Sequence, residues 1–372
     1  MNLEAFRAQF GAYEEGVYVN HAAISPFSQM THQAWGEWAN LRSHVPVDPF
    51  PQILEIKNNF HLNVSRLIGA DSPDSIAFIP NTSTGINMVA TAIDWQPGDR
   101  IILNPLEFPA NVYPFLNLGK DIAIDWVEPL DGEIRVEQIE KIMTDGTRVV
   151  SISFVQFMNG FRADLEAIGR LCHDRRILFM VDGIQGTGVV PVDVQKWQVD
   201  AWICGGHKWL MWPMGTGFLY VKPELQEKLK PKFAGWLSVK DAWNMLDYRL
   251  DFLETAEVFE LGTLNFSGMA IANRVMDGFF EVGIDKIHHL VENLAGQLIT
   301  GLKEHGFRVI TPGDSQKRAG IVSVQLEGPE AWGEKLRTHG IFASVRGDVL
   351  RFAIHGTNNE GDIRKILQVM AT

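Results

Sequence analysis

The segment AWICGGHKW (201–209) carries an apolar run into two glycines and then His207 and Lys208. A lysine delivered to the carboxyl edge of an open sheet stands where such folds bind their ligands. Its amine can attack a carbonyl, or serve as a base if burial lowers its pKa. A surface lysine following a strand is the plainer alternative. In RILFMVDGIQGTG (176–188) apolar residues bring Asp182 to a strand end, with Gly183 and Gln185 just beyond. A carboxylate there is costly unless a cation meets it, and a protonated pyridine nitrogen is such a cation. A cap on the next helix is the structural alternative. In SIAFIPNTSTGINMVATAI (75–93) a strand leads into Thr82, Ser83 and Thr84, then Gly85 and a helix. N–H groups at a helix start, flanked by hydroxyls, hold a phosphate without Lys or Arg, although Thr and Ser are also ordinary N-caps. No GxxxxGKS or GxxxxGKT occurs and GIQGTG lacks the GxGxxG spacing, which excludes those two nucleotide-binding loops.

These groups need a sheet to position them. Seven short apolar runs alternate with helical stretches: SIAFI (75–79), RIILN (100–104), IAIDWV (122–127), RVVSISFV (148–155), RILFMVD (176–182), DAWIC (200–204) and GFLYV (217–221). Apolar on both faces, they are predicted to be buried strands of a mostly parallel sheet covered by helices. Between them, DLEAIGRLCHDR (164–175) repeats Leu165, Ile168, Leu171 and Cys172 at helical spacing. After about residue 265 the rhythm changes to a long helical stretch, then HGFRVITP, RAGIVSVQL and GIFASVRGDVLRFAIH, then a closing helix from about Glu360. That order suits a small α+β domain. The expected organisation is α/β: an N-terminal segment (1–15), a large domain (16–265) and a small C-terminal domain (266–372).

The composition narrows the class of protein. At 372 residues, with 46% hydrophobic and 21% charged residues, the chain has ample material for a core. A formal charge of −12 argues against nucleic acid and anionic membranes as partners. The N-terminus shows no signal-peptide pattern, and no run approaches the roughly 20 apolar residues of a membrane span. Two cysteines, Cys172 and Cys204, sit in apolar contexts, so a disulfide framework is not expected and a cytoplasmic location is.

Taken in order, the motifs resemble the class V aminotransferases of the fold-type I enzymes dependent on pyridoxal 5′-phosphate (PLP), which include cysteine desulfurases, isopenicillin N epimerase and kynureninase. The resemblance covers nearly the whole chain. Its most specific parts are VDGIQ and GGHK, with Lys208 following Asp182 by 26 residues. It implies a Schiff-base lysine at Lys208, a pyridinium partner at Asp182, a neighbouring glutamine at Gln185 and a phosphate-holding histidine at His207. It also puts Thr82, Ser83 and Thr84 on the phosphate-binding helix start. In NPLEFPANVYPF (104–115), Phe108 takes the place of a ring-stacking histidine of the desulfurases; it can stack but cannot move protons. In SFVQFMNGFRADL (153–165), the resemblance implies that Gln156 or Asn159 hydrogen-bonds the cofactor's phenolic oxygen. FELGTLN (259–265) resembles the stretch whose threonine, here Thr263, reaches the phosphate of a neighbouring subunit, implying a homodimer with shared active sites. SVRGDVLRFAIHGTNNEGDI (344–363) resembles the substrate-carboxylate segment, with Arg351 as the binding arginine and Arg346 as the alternative.

Two departures bear on function. Desulfurases carry a nucleophilic cysteine on a loop between the positions of Arg346 and Arg351, where this chain has only Gly347, Asp348, Val349 and Leu350. The serine that usually precedes the GHK glycine is Gly205. The expected activity is PLP chemistry at the α-carbon of an amino-acid substrate, foremost transamination. Epimerisation and carbon–sulfur β-elimination are the alternatives, and a non-catalytic binding protein is a more distant one.

Overall fold

The computed structural model describes residues 1–11, 16–44, 50–119 and 121–372. Residues 12–15, the end of the expected N-terminal segment, lie outside them. All seven apolar runs form strands. After β1 (Val17–Tyr18), which belongs elsewhere, come β2 (Ile76–Ile79), β3 (Arg100–Leu103), β4 (Ala123–Trp126), β5 (Thr147–Ser153), β6 (Leu178–Asp182), β7 (Ala201–Gly205) and β8 (Gly217–Val221). Their order in the sheet is β2-β8-β7-β6-β5-β3-β4. Only β8 runs against the rest, pairing antiparallel with both β2 and β7. The double-faced apolar pattern has a direct cause. Ile76, Phe78, Ile102, Val150, Phe179, Trp202 and Phe218 enter one buried cluster, whereas Ala77, Ile79, Ile101, Val149, Met180, Ile203 and Leu219 enter another. Alternate residues therefore face opposite helical layers. Strand β4 differs from the expectation of burial: it is the margin of the sheet, its residues are half-buried or exposed, and Asp125 pairs with Arg100.

The helix Leu165–Asp174 follows its periodicity, burying Leu165, Ile168 and Cys172, and Asp164 caps it by accepting from the Ala167 N–H at 3.0 Å. The long helix Phe266–Val282 lays Met269, Ile271, Val275 and Phe279 into the first cluster, beside Phe60 and Val64 of the helix Phe50–Ile68. The latter helix is also held by charge. Lys57 and His61 meet Glu257 and Glu260, and Glu260 accepts from the backbone N–H of Phe78 at 2.8 Å. Burial alone would lower the His61 pKa, but bonds to Glu257 and Glu260 reverse this and raise it to about 9.

The C-terminal region adds β9 (Arg308–Val309), β10 (Ile321–Gln325), β11 (Ile341–Phe342), β12 (Ser344–Arg346) and β13 (Val349–Ala353). Four of them form an antiparallel sheet, β12-β13-β10-β9, while β11 pairs in parallel with β1. Val322, Val324, Leu350 and Phe352 pack with Leu294 and Leu298 of the helix Ile284–Glu304 and Ile363 and Ile366 of the helix Glu360–Met370. Val17 and Val19, from the other end of the chain, join the same cluster. Among the described residues no helix is long and apolar enough to cross a membrane.

Candidate active site

Strand direction brings the chemistry-bearing residues to one edge. Asp182 is the last residue of β6 and Lys208 follows the end of β7. Because β8 lies antiparallel between β2 and β7, β2 points the same way as β7 and delivers Thr82 to that edge. A cavity of about 310 Å³ opens there, lined by Thr82, Ser83, Phe108, Asp182, Gln185, His207, Lys208, Arg346 and Arg351. This is the size of a small cofactor pocket.

Lys208 is 9% exposed, and its Nζ stands 5.5 Å from the centre of the Phe108 ring. Burial lowers its pKa, Asp182 opposes that, and the nearby Arg351 and Arg346 charges add to the lowering. Asp182 is 2% exposed and its Oδ1 accepts from the Ile184 N–H at 3.0 Å. Burial pushes its carboxyl pKa upward, so the carboxylate calls for a cation in front of it. Gln185 is braced from both ends. It donates to the Ala22 carbonyl at 3.1 Å and accepts from Trp209 Nε1 at 2.8 Å.

At the other end of the cavity, Asn81 caps the helix Thr82–Ala92 by accepting from the Thr84 N–H. Thr84 also turns its hydroxyl to Asn81, at 3.1 Å, and does not line the cavity. The helix start therefore faces the cavity with Thr82 and Ser83, whose N–H groups precede the first intrahelical bond. The Gly205 N–H donates to Thr82 Oγ1 at 3.0 Å, and a Cβ on Gly205 would come within 3.2 Å of that oxygen. The missing serine thus leaves a close backbone approach in place of a side chain. Burial, then the Lys208 charge, bring the His207 pKa down to about 4, so the ring is neutral.

Arg351, 2% exposed, donates from Nη1 to the Phe157 carbonyl at 2.7 Å and from Nε to Ser344 Oγ at 3.3 Å. Gln156 and Asn159 are both outside the cavity lining. Asn159 is engaged by the Gly132 carbonyl and the Phe161 N–H, and Gln156 donates to Glu107 at 2.8 Å while its Oε1 is buried without a partner. Thr263 is exposed and outside the cavity of its own chain.

Residues not anticipated from the sequence complete the site. Glu107 is buried and accepts from Asn104, Asn111, Ser153 and Gln156, which holds the loop carrying Phe108 against the end of β5. The segment Asn20–Ser25 supplies Ala22 and Ala23 to the cavity wall. Its two consecutive alanines before Ile24, Ser25 and Pro26 were the available signal for a close approach.

The same segment clamps the Lys208 turn from behind. Ser25 N–H donates to the His207 carbonyl at 3.0 Å and Ser25 Oγ donates to the Lys208 carbonyl. Having given its proton there, Ser25 Oγ must accept from His21 Nδ1, 2.6 Å away, so His21 carries its proton on Nδ1. His355 Nε2 donates to the Trp209 carbonyl at 2.9 Å, and its Nδ1 accepts from the Gly356 N–H at 2.7 Å. Burial lowers both histidine pKa values, that of His355 to about 4, which keeps these tautomers neutral. Three successive carbonyls of the turn are thus held from outside it. The Ser25→Ala variant loses one such bond, worth about 1 kcal/mol. It should retain cofactor, lose about fivefold in kcat and exchange its turn amides faster with deuterium. Unchanged kcat and exchange would remove the clamp from this account.

A sheet edge with a buried lysine, a facing carboxylate and a cation-free anion cradle defines a pocket for a cofactor with a ring cation and a phosphate. Residues 37–349 match the family Aminotransferase class-V, and the chain belongs to that family. It is 25% identical over 307 residues to the uncharacterized aminotransferase YcbU of Bacillus subtilis (strain 168), covering 82% of this chain and 81% of that protein. The apo cysteine desulfurase of Thermococcus onnurineus NA1 has the same fold, with a TM-score of 0.90 at 24% identity over 99% of this chain and 97% of that one. So does a C-DES mutant with glycine covalently linked to its PLP cofactor, with a TM-score of 0.90 at 21% identity over 98% of each chain. Family membership indicates PLP as the cofactor, and the buried Asp182, the Thr82 helix start and the close approach at Gly205 fit it.

Proposed function

We propose that this protein transaminates an amino acid, with Lys208 as both the attachment point of PLP and the base at the substrate's α-carbon. The observation that carries this is the convergence of Lys208, Asp182, the Thr82–Ser83 helix start and Arg351 on one cavity. When bound, PLP supplies an electron sink for negative charge developing at that carbon. Every other task falls to the chain. Thr82, Ser83 and the neutral His207 hold the phosphate, Asp182 keeps the ring nitrogen protonated, and Phe108 covers the ring. Arg351 takes the substrate carboxylate and so orients the bond to be broken. Lys208, made less basic by burial, takes the α-proton, and transamination requires that it deliver a proton to a carbon other than the one the proton left.

Cys172 and Cys204 are both buried, in a helix and in β7, with burial pushing the Cys172 thiol well up and the Cys204 thiol up to about 12. Neither suits persulfide transfer, and a β-elimination that needs no protein thiol is the second reading. Exposure of Thr263 supports its serving a neighbouring subunit's phosphate site in a homodimer. We further read 16–265 as the PLP-binding domain, with 1–15 preceding it and 266–372 as the small domain, in a cytoplasmic protein. Gln156 and Thr84 act behind the cofactor contacts, through Glu107 and Asn81. The test is to load the protein with PLP, follow its visible spectrum on adding a panel of amino acids, and analyse the products. Keto acid from a responsive substrate is the expected result. An inverted stereocentre or a released β-fragment would reassign the reaction, and an unresponsive spectrum with no product would overturn the enzyme reading.

A further inference from the structure

The roles assigned above leave one cation of the cavity lining without a partner. Its lining includes three cations, Lys208, Arg346 and Arg351, against the single carboxylate of Asp182. On the reading above, Lys208 is taken by the cofactor, Asp182 faces the ring nitrogen, and the phosphate sits at the helix start. One α-carboxylate then neutralises Arg351. Arg346 is left over, in a molecule whose formal charge is −12.

Its placement is set by sheet register. Ser344 lies directly opposite Arg351, and Arg346 is two residues further along β12, opposite Val349. Side chains two apart on a strand share a face, and so do directly opposed ones. Ser344 accepts from Arg351 Nε, so Arg346 and Arg351 are diagonal neighbours on the cavity face. Such diagonal positions are about 7–8 Å apart, within reach of two long side chains. The opposite face carries Leu350 and Phe352 into the small-domain core, which fixes the register, since a slip by one residue would turn arginine into that apolar cluster and take Leu350 and Phe352 out of it. Arg346 is exposed at the cavity mouth, donates to the Val345 carbonyl at 2.8 Å, and has no carboxylate within ion-pairing distance among the described residues.

We propose that Arg346 is a specificity-determining residue that binds a second anionic group on the substrate side chain, so that the enzyme selects acidic amino acids of the aspartate or glutamate type. This deepens the proposed function and rests on its assignment of Arg351. The two guanidinium groups form a clamp for the two ends of a dicarboxylate, and the deeper one, braced by Phe157 and Ser344, sets the orientation. Being exposed, the Arg346 contact weakens as salt rises.

The experiment measures equilibrium binding of two unreactive probes, glutarate and its monoacid counterpart pentanoate, to the PLP-loaded protein by calorimetry. The wild type should bind glutarate at least tenfold more tightly than pentanoate. Arg346→Ala, at an exposed position that the core does not use, should erase that preference and leave pentanoate binding unchanged. Arg351→Ala should weaken both probes. Turnover should follow, with glutamate or aspartate favoured over alanine in the wild type and not in Arg346→Ala. Equal binding of the two probes by the wild type, a preference that survives Arg346→Ala, or an equal loss of both probes in Arg346→Ala each overturn the proposal. Should Arg351→Ala leave both probes bound as before while Arg346→Ala erases the preference, the assignment of Arg351 in the proposed function fails, and with it the two-arginine clamp, while the role of Arg346 toward the second carboxylate is retained.

Discussion

The Lys208→Ala protein is expected to bind PLP without a covalent link and to lose turnover by about 10²–10⁴-fold from the missing base alone. The expectation rests on position. Lys208 is the only lysine lining the cavity among the described residues, and its carbonyl and both neighbouring carbonyls are anchored by Ser25 and His355. No second amine is held where it could replace it. Borohydride treatment followed by peptide mass analysis checks this, since the wild type should yield PLP fixed on residue 208 and the variant should yield none. A fixed adduct on another lysine in the variant, with turnover retained, would move both roles elsewhere. Comparison of unfolding midpoints without cofactor separates a chemical loss from a folding loss.

Asp182→Asn is expected to keep bound cofactor and slow exchange of the substrate α-proton by about 10²–10⁴-fold. The replacement is nearly isosteric, and the amide oxygen can still accept from the Ile184 N–H. What disappears is the negative charge. Breaking one side of a buried ion pair costs about 3–5 kcal/mol, which sets the size of the effect. Burial is what makes the charge matter: a carboxyl held high in pKa by its surroundings gains most from the cation it meets. Loss of deuterium from an α-labelled amino acid, followed by NMR, measures the step directly. Exchange at the wild-type rate would remove Asp182 from the mechanism. If Asn also released PLP, the residue would be a binding group first, which the retained absorbance of the variant distinguishes.

Much of this site is readable along the chain because its parts sit at strand ends. Strand periodicity is local, so the seven runs announce themselves, and a residue that follows a buried run by a few positions must emerge at a sheet edge. Asp182, Lys208 and Thr82 were identifiable for that reason, and the cavity contains all three. The same locality misled at β4, where the apolar letters of IAIDWV say nothing about strand order, and the order puts that strand at the margin. Other features depend on partners far away in sequence. Glu107 gathers Ser153 and Gln156, and so decides that Gln156 stays behind the cavity wall while Phe157 lines it. Asn159 is drawn off by Gly132.

Short-range alternation of apolar and polar residues is enough to announce the strands of the sheet and to put Asp182 and Lys208 at or just past the ends of two of them. The fold places Asn20–Ser25 behind the Lys208 turn, a contact that local patterning does not reveal because it spans 183 residues from Ser25 to Lys208. It likewise decided that Arg346 and Arg351 share a face. Their spacing in sequence is compatible with either face, and the pairing of Ser344 with Arg351, held by the burial of Leu350 and Phe352 on the other side, selects one.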